Sequence, residues 1–255
     1  MQTIAHGTTD TGLCRESNED TYVIDDSLAL YAVADGMGGH AAGEVASALA
    51  VDAAHHTVVR LTRVGVQDPV HLARAATRAA IEAVWSARAS EPAFDGMGTT
   101  LTLLVIRGTE AAMAHVGDSR LYRLREGEVE RLSQDHTWIE ELIRSGHITR
   151  QQAMRGPLGH ILQRSIGKDR EVEIDVREIT VRVGDRFLLC TDGLCDYLDT
   201  DDQILHELQA DLITAPQLLV DYANACGGDD NVTAVVVDVL AEDQGLFVAS
   251  EACVA

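Results

Sequence analysis

Acidic residues recur in this chain where apolar runs stop. Asp35 follows Tyr31-Ala32-Val33-Ala34 and precedes Gly36. Asp118 follows Ala114-His115-Val116-Gly117, and Asp192 follows Leu188-Leu189-Cys190-Thr191 and precedes Gly193. Asp230 stands just before the apolar run 232–239, and Glu19-Asp20 just before 22–24. A single Asp-Gly is more often a turn than a ligand. The set is different, because carboxylates brought to about 4 Å repel by about 4 kcal/mol per pair at an effective dielectric near 20. A divalent cation would remove that penalty, and an all-oxygen donor set without paired Cys or His favours Mg²⁺ or Mn²⁺ over Zn²⁺ or Cu²⁺. Two such ions side by side activate a water and clamp a phosphoryl oxygen, which the hydrolysis of an inert phosphate monoester demands. Arg15, four residues before Glu19, offers a planar fork for phosphate oxygens. His40, beyond Asp35-Gly36-Met37-Gly38-Gly39, is a candidate general acid.

The elements that must position these residues follow from periodicity. Residues 22–24 and 28–34 read as strands joined by the turn formers Asp25, Asp26 and Ser27. Over 41–61, Ala42, Val45, Ala46, Leu49, Ala53 and Leu61 recur at mostly helical spacing. Asp68 then caps a second helix with Pro69 at its first position and Leu72, Ala76, Ala79, Ala83 and Ala87 along one side. Strands are expected at 99–106, 110–116, 121–125 and 129–132, with Glu126-Gly127 as a hairpin turn, and again at 186–190 and 232–240. Residues 135–159 read as a polar surface excursion with one small helix near 138–145, and 202–208 and 217–225 read as helices. Runs of like elements are segregated, so the expected class is α+β, with mostly antiparallel sheets inside and helices outside.

Composition narrows the function. A chain of 255 residues with 46% hydrophobic residues can bury a substantial core, and one domain is the simplest organisation. The net charge of −21 sets up a field that repels nucleic acid and anionic membranes. No apolar run approaches the roughly 20 residues of a membrane span, and the first ten residues lack a signal-peptide pattern, so a cytoplasmic protein is expected. Cys14, Cys190, Cys195, Cys226 and Cys253 are odd in number and not in CxxC spacing, which argues against a disulfide scaffold or a zinc site. Cys14 and Cys195 nevertheless neighbour the acidic motifs, where an accessible thiol would be redox-sensitive.

Taken in order, Arg15-Glu16-Ser17-Asn18-Glu19-Asp20, Asp35-Gly36-Met37-Gly38-Gly39-His40, Gly98-Thr99-Thr100, Gly117-Asp118-Ser119-Arg120, Asp192-Gly193 and Gly228-Asp229-Asp230-Asn231-Val232-Thr233 resemble the motifs of the metal-dependent PPM, or PP2C-type, Ser/Thr protein phosphatases. The bacterial stand-alone members are the nearest in pattern, and the likeness runs from about 8 to 239. It implies a four-layer αββα sandwich over residues 1–241, with a flap subdomain at about 135–165 and a C-terminal tail at 242–255. It also implies two or three Mn²⁺ or Mg²⁺ ions. Asp35, Asp192 and Asp230 would be direct ligands with the Gly36 carbonyl, Glu19 and Asp20 would act largely through waters, and Asp118 with Asp192 would hold a weaker third ion. Arg15 falls at the phosphate-binding arginine and His40 near the acid histidine. Gly156-Pro157 stands where His-Pro is frequent in the flap. The implied reaction is direct attack of a metal-activated water on phosphoSer or phosphoThr. The implied partners are phosphorylated proteins and a cognate Ser/Thr kinase, acting on a monomer.

Two rival readings fit the sequence less well. Gly36-Met37-Gly38-Gly39-His40-Ala41 fits GxGxxA, but the helix after it is followed by a second helix, so the βαβ unit of a dinucleotide site is missing. A catalytically degenerate phosphoprotein-binding regulator of the same fold would have lost a ligand, and Asp35, Asp192 and Asp230 are all present. His55-His56 diverge by about 100° on a helix and cannot share an ion as i, i+4 histidines do.

Overall fold

A computed structural model describes residues 1–38, 41–149, 161–198 and 206–242. Two antiparallel sheets lie at its centre. The first has the order β1 (Gln2–Asp10), β11 (Val232–Leu240), β10 (Arg186–Cys190), β7 (Arg120–Arg125), β8 (Glu128–Arg131). The second has the order β2 (Asp20–Asp25), β3 (Leu30–Met37), β5 (Leu101–Arg107), β6 (Glu110–Val116), β9 (Asp175–Thr180), with the short β4 (Gly98–Thr99) paired to the end of β3. Helices α1 (Ala41–Arg63) and α2 (Pro69–Ser90) cover the second sheet, and α4 (Asp192–Cys195) and α5 (Ala215–Cys226) the first. Helix α3 (Trp138–Arg144) lies in the excursion after β8.

Strand periodicity explains the layers. In β3, Leu30, Ala32 and Ala34 face α1 and α2, while Tyr31 and Val33 face the other sheet. In β11, Val235, Val237 and Val239 join that inter-sheet core, while Val232, Ala234 and Val236 pack under α5. Strands buried on both faces must be apolar throughout, hence the continuous runs in the sequence. The result is the expected αββα order. Among the described residues no helix is long and apolar enough to cross a membrane.

Several boundaries differ from expectation. Strand β3 begins at Leu30 rather than 28, because the Asp25 carboxylate accepts from the Leu28 N–H at 3.0 Å and Ala29 turns to φ +40°. The expected strand 99–106 divides at Thr100 into β4 and β5. The buried stripe of α2 runs through Leu72, Ala73, Ala76, Thr77, Ala80, Ile81 and Val84, leaving Ala79, Ala83 and Ala87 half-buried. Asp68 caps that helix as expected, accepting from the Val70 N–H at 3.0 Å. Strands β1 and β9 were not anticipated. Both are polar edge strands that bury few side chains, so they carry little alternation. Of the helix expected at 202–208, only 206–208 lie among the described residues, and they are helical. The segment expected as a flap is held at its root: Gln163 N–H donates to the His136 carbonyl at 2.7 Å, and Trp138 N–H to Ile161 at 3.0 Å. Gly156-Pro157 and Cys253 lie outside the described residues.

Candidate metal centre

One end of the sandwich collects the acidic residues, and strand register explains why. Asp20 on β2 is directly opposite Asp35 on β3, so the two side chains share a face. Strand β10 runs antiparallel to β11, which brings Thr191-Asp192 at the end of one beside Asp230-Asn231 at the start of the other. Residues 117–119 cross from β6 in one sheet to β7 in the other at this same end, and carry Asp118. Strand β1 delivers Arg15 after its last pair, Asp10 opposite Val232.

Two of the carboxylates are largely withdrawn from water, Asp20 at 8% exposed and Asp118 at 7%, while Asp35, Asp192 and Asp230 are partly exposed. Burial pushes Asp20 up to about 7. The hydroxyls of Thr233 and Thr191 oppose the rise, while Asp192 and Asp230 add to it. Asp35 is driven well above the usual carboxylate range by burial and then by the neighbouring Asp192 and Asp20. Asp118 rises for the same reasons, burial first and then Asp192, Asp135 and Asp196. Asp20 Oδ2 accepts from Thr191 and Thr233, each at 2.7 Å, while its Oδ1 is buried with no hydrogen-bond partner.

Backbone approaches closely around these groups. Gly36 N–H donates to the Glu19 carbonyl at 3.1 Å, and a Cβ at Gly36 would overlap the carbonyl oxygens of Gly43 and Glu19. A Cβ at Gly43, in the first turn of α1, would overlap the Glu19 carboxylate. Asn231 staples the Arg15–Glu19 stretch to β11: its Oδ1 accepts from Glu19 N–H at 2.8 Å, and its Nδ2 donates to the carbonyls of Thr11 and Ser17 at 3.0 and 2.9 Å. Thr100 Oγ1 accepts from Asp35 N–H at 2.9 Å and bonds Ser119, tying β3 to the Asp118 crossing.

A cavity of about 510 Å³ opens on this end, lined by Arg15, Asp192, Gly193, Asp196, Tyr197, Asp229 and Asp230. Arg15 is half-exposed and donates to Asp230 Oδ2 at 2.6 Å. Tyr197 donates to Asp229 at 2.9 Å.

Of the residues singled out from sequence, Arg15, Glu19, Asp20, Asp35, Gly36, Asp118, Asp192 and Asp230 all come to this end. His40 lies outside the described residues. Sequence reasoning missed Thr191 and Thr233, which hold Asp20, and Tyr197 and Asp229 on the cavity wall. Thr191 and Thr233 each sit within three residues of a flagged aspartate, which was the available signal. His55 is a structural residue, bonded to Asp25 at 2.8 Å.

Among the described residues no three His, Cys, Asp or Glu side chains close on a common point at ligating distance. Asp230 is instead drawn to Arg15, and Asp20 to two hydroxyls. The donor chemistry still fits hard divalent cations: oxygen ligands only, three raised carboxyls, and the buried Oδ1 of Asp20 without a hydrogen-bond partner.

Comparison with known proteins agrees with this geometry. The profile for protein phosphatase 2C matches residues 13–234. The chain is 40% identical over 238 residues to the serine/threonine protein phosphatase PstP of Mycobacterium tuberculosis, covering 92% of this chain but only 45% of that protein. It is 35% identical to the serine/threonine phosphatase stp of Listeria monocytogenes, covering 90% of this chain and 93% of that one. A crystal structure of M. tuberculosis PstP superposes with a TM-score of 0.86 at 37% identity, over 94% of this chain and all of that one. A second, of the PstP catalytic domain in complex with two manganese ions, gives 0.82 at 38% identity over 94% and 99% of the two chains. With matching motifs, layers and relatives over nearly its whole length, the chain belongs to the protein phosphatase 2C family.

Proposed function

We propose that this chain is a metal-dependent protein serine/threonine phosphatase. The observation that carries the reading is the crowding of Asp20, Asp35 and Asp118 against Asp192, which leaves three carboxyls raised at one end of the sandwich. Asp35, Asp192, Asp230 and the Gly36 carbonyl would hold two Mn²⁺ or Mg²⁺ ions, with Glu19 and Asp20 behind them and Asp118 with Asp192 holding a third. When bound, the ions polarise the phosphoryl oxygens and acidify an attacking water. The chain's own residues do the rest. Arg15 reaches the cavity beside Asp230, from which its fork can turn to two phosphate oxygens. The hydroxyls of Thr191 and Thr233 hold Asp20 in one orientation, and Asn231 keeps the loop that carries Arg15 in register. His40 is assigned the proton donated to the leaving Ser or Thr oxygen.

The substrates are phosphorylated proteins, and the enzyme opposed is a Ser/Thr kinase. The chain acts as a monomer in the cytoplasm. Phosphate release from a phosphothreonine peptide, by chelator-treated protein with and without Mn²⁺, tests the reading. Turnover should require the metal and fall on the order of 10²-fold or more in Asp192→Asn. Metal-dependent turnover that persists in Asp192→Asn refutes the site. Peptide binding with no turnover with or without Mn²⁺ supports the degenerate regulator instead.

A further inference from the structure

Behind the cleft, two cysteines flank the turn that carries Asp192. Cys190 ends β10 and Cys195 ends α4. Both are free thiols buried in the cluster beneath α5, and their sulfurs stand 2.6 Å apart. A disulfide bond is about 2.05 Å long, so little more than half an ångström separates the pair from bonding distance. Cys14 and Cys226, by contrast, are exposed.

We propose that Cys190 and Cys195 form a disulfide, an oxidation site whose closure rings Thr191, Asp192, Gly193 and Leu194 and locks that turn in place. The backbone on either side of the ring is already held. Thr191 N–H donates to Thr233 at 3.2 Å, Asp196 N–H to the Asp192 carbonyl at 2.9 Å, and Arg120 Nη1 to the Cys195 carbonyl at 3.0 Å. Arg120 is itself anchored by Asp135, at 2.8 Å. Bond formation therefore moves two sulfurs and leaves the carboxylate where it stands. The oxidant is a low-molecular-weight disulfide such as oxidised glutathione. One protein thiol displaces a glutathione thiol to give a mixed disulfide, and the second attacks the protein sulfur and releases the other. Two protein S–H bonds and the glutathione S–S bond break, and one protein S–S bond and two glutathione S–H bonds form. The two electrons and two protons end on two molecules of glutathione. The chemical step stands apart from the phosphatase reading, but its consequence for Asp192 rests on it.

The test is mass-spectrometric mapping of the full chain after oxidised glutathione. Because both sulfurs are buried, a second sample is refolded from urea in a glutathione redox buffer. Remaining thiols are alkylated under denaturing conditions, and the chain is cut on the N-terminal side of aspartates. Cleavage before Asp192 puts Cys190 and Cys195 on different peptides, so a linked pair, lighter by two hydrogens than the two free peptides together, reports the bond directly. Linked peptides in either sample, with a higher unfolding temperature and undiminished Mn²⁺-dependent phosphate release, are the expected result. Alkylation of both cysteines in both samples, or bonding to Cys14 or Cys226 instead, overturns the pairing. A linked pair with lost phosphate release relative to reduced protein overturns the lock. If neither redox form releases phosphate but the link forms, the phosphatase reading fails and the pairing stands.

Discussion

Replacing Asp20 with asparagine should move stability and ion binding in opposite directions. In the fold this carboxyl titrates at about 7, chiefly because it is buried. In the unfolded chain it titrates near ~3.9. Between these values the folded protein holds a proton that the unfolded chain has lost, so stability falls as pH rises from about 4 to about 7. Above that window the ionised group costs about 4 kcal/mol, roughly three pH units at about 1.36 kcal/mol each. Asparagine keeps an acceptor for Thr191 and Thr233 and carries no charge. Its amide would, however, stand where Oδ1 lacks a partner, a cost of about 1–3 kcal/mol. The net expectation for chelator-treated protein at about pH 8 is a gain of about 2 kcal/mol, or roughly 4–8 °C in Tm. At about pH 4 the gain should give way to a deficit of about 1–2 kcal/mol, because the parent carboxyl is then protonated in the fold and its charge cost is nearly gone while the amide's cost remains. Saturating Mn²⁺ should reverse the order, since the parent gains binding energy that the variant has given up. Differential scanning fluorimetry with and without chelator reads all of these conditions. A variant that melts below the parent in chelator at about pH 8 would refute the claim that buried charge at Asp20 destabilises the fold.

Two further perturbations follow from the same geometry. Gly43→Ala places a Cβ into the Glu19 carboxylate and 2.9 Å from the Gly36 carbonyl carbon. It should cost about 1–3 kcal/mol in urea unfolding and raise the Mn²⁺ concentration for half-maximal activity; unchanged values on both measures would show that the close approach is dispensable. His115 is fully buried between the Thr102 hydroxyl at 2.8 Å and the Gln134 carbonyl at 3.0 Å, and burial, then His136, pushes its pKa down to about 3. The unfolded chain protonates this group below about 6.5, so its neutral burial loses stability as pH falls from about 6.5 to about 3. His115→Gln lacks that titration, so its deficit against the parent at about pH 7 should shrink by about 2 kcal/mol at about pH 5, measured by urea unfolding; a constant deficit would contradict the assignment.

The acidic residues were legible because a carboxylate closing an apolar strand is conspicuous in a linear chain, as at Asp35 and Asp192. The layers were legible too, since strands apolar on both faces require cover on both sides. What the sequence hid is register and orientation. Nothing in 20–35 states that Asp20 and Asp35 pair directly, because that depends on where the turn at Asp25 closes and on Ala29 adopting positive φ. The hydroxyls of Thr191 and Thr233 read as ordinary strand residues until β10 and β11 are paired. Along α2 the alanines are so numerous that several stripes fit helical spacing, and only packing against the second sheet selects one. Edge strands β1 and β9 escaped because hydrogen bonding, rather than side-chain burial, holds them in place.

The Asn231 staple bears on how the protein is made. It joins β11 to Thr11 and Ser17 across separations of 220 and 214 residues, so the loop presenting Arg15 is secured in large part by a residue near the far end of the domain. During synthesis the first hundred residues can pack α1 and α2 on β2 and β3, yet Asp192, Asp230 and the staple have not emerged. A nascent or truncated chain therefore displays several of the acidic residues without the geometry to use them. Competence arrives in one late event, when β11 inserts between β1 and β10 and completes the first sheet.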